Sequence, residues 1–196
     1  MAAVSDTAVK DELAFAGAAA LAAKLRDRDV SSRELTEMFL ERIERIDPQL
    51  NAFRVVWRDE AVAAADEADQ RIAAGEEAPL LGVPIAIKDT VDVAGDVTML
   101  GTDGFDRPAE RDSEIVARLR DAGAVILGKT NLPELAIHGF TESKTHGVTR
   151  NPWNTERTPG GSSGGSGAAV AAGMAAIAHA SDGAGSSSGR QATAST

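Results

Sequence analysis

Residues 113–128 read SEIVARLRDAGAVILG, and this stretch decides the fold. Ile115, Val116 and Leu119 recur at helical spacing, which predicts an amphipathic helix over 113–122 with these three side chains inward. Gly123 closes it. Ala124-Val125-Ile126-Leu127-Gly128 follows at once. A continuous apolar run of that length is too short for a helix and suits a strand buried on both faces. A helix leading straight into such a strand implies α/β layers with parallel pairing.

Upstream, residues 80–89 read LLGVPIAIKD. They predict a second buried strand that ends in two charges, Lys88 and Asp89. Before it the texture is helical. Residues 13–28 read as one helix, with Leu21 and Leu25 four apart. Ser31 and Glu34 form a capping box, and Leu35, Met38, Phe39, Ile43 and Ile46 make a 3.6-residue stripe. Asp47-Pro48 is expected to stop that helix. Residues 59–74 predict an Ala-rich helix ended by Gly75. Glu41 and Glu44 fit a solvated helix face.

Downstream, residues 159–167 hold five Gly and three Ser in nine positions. Alone this could be a linker. It runs directly into Ala168-Ala169-Val170-Ala171-Ala172, a good helix former. A loop opening onto a helix points backbone N–H groups outward. A second cluster of small residues, 181–188, follows one short apolar segment later.

Composition narrows the chemistry. The chain has 196 residues and a net charge of −10, which disfavours a nucleic-acid backbone as a direct partner. With no Cys there is no disulfide or thiolate chemistry, which fits a reducing, cytoplasmic setting. Residues 1–14 carry Asp6, Asp11 and Glu12 and no apolar signal core. The longest apolar stretch, 167–180, is too short to span a bilayer. The chain holds 37 Ala but only 2 Trp, 5 Phe and no Tyr, so its core must be built from small aliphatic side chains.

No Lys lies in 159–190, which excludes a P-loop, and no dinucleotide fingerprint follows a strand there. His138, His146 and His179 have no metal-ligand spacing and read as polar loop or surface residues. No metal or cofactor is expected. Gly161-Ser162-Ser163-Gly164-Gly165 matches Gly-x-Ser-x-Gly at Ser163, but no strand leads into it as a hydrolase elbow requires.

The run Gly160-Gly161-Ser162-Ser163-Gly164-Gly165-Ser166, followed by Asp182-Gly183-Ala184-Gly185-Ser186, resembles the amidase signature family. Gly82-Val83-Pro84-Ile85-Ala86-Ile87-Lys88-Asp89 is similar to that family's lysine strand. Gly128-Lys129-Thr130-Asn131, Glu134 and Asn151-Pro152-Trp153-Asn154 are similar to its intervening motifs. The likeness runs from about residue 12 to residue 186, with the motifs in order.

The resemblance implies an α/β fold with a mixed, partly parallel sheet flanked by helices. It also implies hydrolysis of a carboxylic amide through a Ser–cis-Ser–Lys triad and an acyl-enzyme. By motif, Lys88 is the base, Ser162 the bridging cis-serine and Ser186 the nucleophile, 74 and 24 residues apart. Backbone N–H groups of Gly183, Ala184, Gly185 and Ser186 would form the oxyanion hole. Such a lysine must be neutral to accept a proton, which burial favours. The partner implied is a small-molecule amide, linear or cyclic, and a full-length form has room to be a homodimer.

After Ser186 the family continues with Ile-Arg and a Pro. This chain reads Ser187-Ser188-Gly189-Arg190 and ends at Thr196. Residues 1–186 are therefore expected to be the N-terminal portion of one amidase domain, and 187–196 an aberrant, disordered tail. The fold would be incomplete, and the 196-residue chain inactive and poorly stable by itself. Two other readings stand beside this one. One is the glutaminase component of a tRNA-dependent amidotransferase, which shares the signature. The other is a non-catalytic remnant. The segment His179-Ala180-Ser181-Asp182-Gly183 is more similar to free-standing amidases of the 6-aminohexanoate-cyclic-dimer hydrolase type.

Overall fold

A computed structural model describes residues 6–182. Its centre is a four-stranded sheet in the order β1 (Phe53–Val56), β3 (Val125–Thr130), β2 (Pro84–Lys88), β6 (Ile177–Ala178), and a separate antiparallel pair joins β4 (Glu142–Ser143) to β5 (Gly147–Val148). β2 runs parallel to β3 and to β6, while β1 is antiparallel to β3. The two strands expected from the sequence are thus the middle of a mixed sheet, and they are parallel neighbours. Every residue of both is buried.

Alternation along these strands divides the core into two layers. Ala86, Val125 and Leu127 face a layer that also holds Leu21, Leu25, Leu35, Phe39, Ala65 and Ala168. That layer is supplied by α2 (Ala18–Arg26), α3 (Ser32–Leu50), α4 (Arg58–Ala73) and α6 (Gly164–Ala171). Ile85, Ile87 and Ile126 face the other side, where Val116 of α5 (Glu114–Asp121) packs.

The α3 N-terminus carries the expected capping box. Ser31 Oγ accepts the Glu34 N–H at 3.1 Å, and the Glu34 carboxylate accepts the Ser31 N–H at 2.9 Å. Three expectations are corrected. Residues 13–28 are not one helix: α1 (Asp6–Phe15) is separated from α2 by Gly17 at φ 78°. The α3 helix does not stop at Asp47-Pro48 but runs through Pro48 to Leu50. Pro48 costs the helix one hydrogen bond, to the Glu44 carbonyl, yet the helix continues to Leu50 and ends at Asn51 in the left-handed conformation, with the Asp47 carboxylate accepting the N–H groups of Ala52 and Phe53. Ile115 does not face inward. It is 40% exposed, and only Val116 of the three is fully buried, because a two-turn helix on a sheet covers a narrow stripe.

One irregularity sets the site. The β2–β3 register runs Ile85↔Ile126, then Ala86↔Gly128, so β3 carries a bulge. A Cβ on Gly128 would lie 2.1 Å from the Val55 carbonyl oxygen, so only glycine fits. Beyond the bulge the alternation is reversed. Lys129 pairs with Ile87, and Thr130 with Lys88.

Candidate active site

Lys88 is the last residue of β2 and is fully buried. Alternation puts it on the Ala86 side of the sheet, toward α6. The Gly/Ser loop reaches it from there, because it can pack against bare backbone. A Cβ on Gly165 would lie 2.4 Å from the Asn131 carbonyl oxygen and 2.6 Å from that of Ala52. The Gly165 N–H donates to Asn131 O at 3.1 Å, and the Asn131 amide donates to Asn51 O and Phe53 O. The Gly161–Ser162 peptide bond is cis.

These contacts deliver Ser162, 6% exposed, to the lysine. Lys88 Nζ donates to Ser162 Oγ at 2.9 Å and to Ser181 Oγ at 2.8 Å. Burial lowers the Lys88 pKa from 10.5 to about 8, against the opposing charge of Asp182. A lysine so placed carries an appreciable neutral fraction at neutral to mildly alkaline pH, when it can accept a proton.

Serines of the same loop stitch down the chain that follows β6. Ser163 Oγ donates to Ser181 O at 3.1 Å and accepts the Ser181 N–H at 3.3 Å. Ser166 Oγ donates to His179 O at 2.8 Å and shares a 2.7 Å hydrogen bond with Thr130 Oγ1. The His179 N–H donates to Ala86 O.

Of the sequence-derived site residues, Lys88 and Ser162 are therefore in direct contact. Ser186, and Gly183, Ala184 and Gly185 before it, lie outside the described residues, as does the tail 187–196. Ser181 was not singled out in the sequence, where it is one more serine at a Gly-rich turn. His179 lies in the loop that follows β6. It is half-buried, and burial, then the nearby Lys88, push its pKa down. His146 is likewise half-buried and shifted down by burial, whereas His138 is exposed and stacks on Phe140. Among the described residues no group of three or more His, Asp or Glu could hold a metal. No helix among them is long and apolar enough to cross a membrane.

A buried lysine at the end of a parallel strand, bonded to a serine that follows a cis peptide bond, defines the amidase-signature class of α/β protein. The chain belongs to the Amidase family, whose profile matches residues 34–188. It is 61% identical over 175 residues to AmiB2 of Mycobacterium bovis, assigned as an amidase, covering 89% of this chain and 38% of that one. It is 50% identical over 163 residues to one component of the glutamyl-tRNA(Gln) amidotransferase of an Azoarcus species, covering 83% of this chain and 34% of that one. Among solved structures, 6-aminohexanoate cyclic dimer hydrolase with its substrate superposes with a TM-score of 0.79 at 37% identity, over 88% of this chain and 35% of that one. The chain thus spans little more than a third of the length of the relatives it matches.

Proposed function

We propose that this chain carries the lysine and serine half of an amide-hydrolysing site. The observation that supports this best is the hydrogen bond from buried Lys88 to Ser162. In this reading neutral Lys88 takes a proton from Ser162 as Ser162 takes one from Ser186. The Ser186 oxygen attacks the amide carbonyl carbon, and the C–N bond breaks as the proton returns through Ser162 to the leaving amine. Water then hydrolyses the acyl-enzyme along the same path. Backbone N–H groups of 183–186 hold the oxyanion, a contribution of about 3–4 kcal/mol per donor.

The substrate class is a small linear or cyclic amide. The higher identity to an assigned amidase than to the amidotransferase component favours a free-standing enzyme. That the chain spans only 38% of AmiB2 and 35% of the cyclic dimer hydrolase supports reading it as part of one longer domain. The test is release of ammonia or amine from simple amides. It is run on the 196-residue chain and on a form extended to the relatives' length, each with Ser186→Ala beside it. Turnover in the extended form that Ser186→Ala abolishes supports the reading. Turnover only when the other amidotransferase components are added favours the glutaminase. No Ser186-dependent turnover in either form favours a remnant.

A further inference from the structure

The sheet buries a second lysine. Lys129 is fully buried, as Lys88 is, but the bulge at Gly128 sends it to the opposite face, beside Ile87. The two meet opposite electrostatic settings. Lys88 Nζ bonds to two hydroxyls. Lys129 Nζ lies 3.0 Å from Asp89 Oδ1 and 3.1 Å from Asp96 Oδ2, and donates to Thr98 Oγ1 at 3.0 Å. Arg54, from β1, pairs with Asp89 at 3.0 Å and also with Asp96. The Met99 N–H donates to Asp89 Oδ2 at 3.2 Å. Two cations and two carboxylates thus form one compensated cluster across the ends of β1, β3 and β2.

Asp89 is the residue after Lys88, and strand alternation turns its carboxylate to the opposite face from the Lys88 amine. There it is fully buried and held between two other cations, Arg54 and Lys129. We infer that the Arg54–Asp89–Lys129–Asp96 cluster is a positioning device for Lys88, which ties down the end of β2 and withholds the Asp89 carboxylate, so that Lys88 meets hydroxyls rather than a buried acid. Lys129, Arg54, Asp89 and Asp96 are positioning residues, since each acts through Lys88. The inference rests on the reading of Lys88 as the base.

The charged and titratable groups around Lys88 fix the expected signs. On its own face stand Ser162, Ser181, His179 and Asp182. On the other stand the four members of the cluster, with His146 and Asp103 beyond them. Removing one cation leaves the cluster net negative and favours the ammonium of Lys88. Removing one carboxylate leaves it net positive and favours the neutral amine.

The test follows the Lys88 side chain by NMR titration in lysine-labelled protein, its signal assigned by loss in Lys88→Met. Lys129→Met should raise the titration midpoint and Asp89→Asn should lower it, each by about half a pH unit or more. The double variant Lys129→Met/Asp89→Asn should return it toward the parent. A midpoint that stays put in both single variants, or moves the same way in both, overturns the inference. Should the buried variants fail to fold, Asp96→Asn at the cluster's rim should lower the midpoint, and no change there overturns it equally. The titration needs no turnover. These shifts in a chain that hydrolyses no amide would support the cluster's role and count against the proposed function alone.

Discussion

Lys88 Nζ lies 2.9 Å from Ser162 Oγ, joining two buried residues 74 positions apart in the chain. A proton can pass between such atoms without rearrangement. If that passage limits the chemistry, breaking either end should cost the rate of general-base catalysis, about 10²–10⁴-fold. In a form extended to the relatives' length, Lys88→Ala and Ser162→Ala should each lower amide turnover by that much, and Ser186→Ala should abolish it. The pair of losses should not multiply in the double variant, because one path contains both groups. Multiplying losses would show two independent roles.

Ser181 accepts the second hydrogen bond of Lys88. Ser181→Ala removes that tether while leaving Ser162 in place. Turnover is expected to fall about 10–100-fold through misplacement of the amine, and Ser181→Thr, which keeps the hydroxyl, should recover most of it. Full turnover in Ser181→Ala would show that this hydrogen bond does not place the amine.

How much of this was legible in the sequence follows from which interactions are local. The buried strands at 84–88 and 125–130 are continuous apolar runs, so the sheet's two middle strands were readable. β1 was not, because four residues that include Arg54 carry little pattern. β6 is two residues long and exists only by pairing with β2. The contact of Lys88 with Ser162 was anticipated from motif order, which encodes a fold that periodicity cannot. The charge cluster escaped notice for a particular reason. Strict alternation from Val125 and Leu127 places Lys129 on their face, and only the bulge at Gly128 moves it to the other. The glycine itself was the available signal, since glycine inside a strand marks a bulge or a close backbone approach.

That bulge gives a sharp stability prediction. Gly128→Ala drives a Cβ against the Val55 carbonyl oxygen, and backbone cannot turn away as a side chain can. The cost should be about 3 kcal/mol or more, seen as a lowered urea midpoint. Gly139→Ala, where a new Cβ meets nothing within 4 Å, should be near neutral. Equal behaviour of the two variants would mean that β1 and β3 do not pack as described.

The lysine itself links folding to pH. Burial lowers the Lys88 pKa from 10.5 to about 8. Below about pH 8 the lysine is protonated in both folded and unfolded chains, and the full cost of burying an ammonium is borne. Between about 8 and 10.5 the unfolded chain holds a proton that the folded one has released, so this residue's contribution makes stability rise with pH. Above that window both forms are neutral and the cost is gone. Lys88→Met keeps the apolar stem without the charge. It should therefore be more stable than the parent at neutral pH, by a few kcal/mol less whatever the lost hydrogen bonds to Ser162 and Ser181 contributed. The gap should close as pH rises through the window. Other lysines titrate in both chains and cancel in the difference. The same ionisation should govern rate, with turnover per active site climbing through about pH 8 as the amine becomes neutral. Urea unfolding of both chains at several pH values measures the first effect, and a pH–rate profile the second. A Lys88→Met chain less stable than the parent at neutral pH would mean that the ammonium is well compensated where it lies, and that Lys88 is not poised to act as a base.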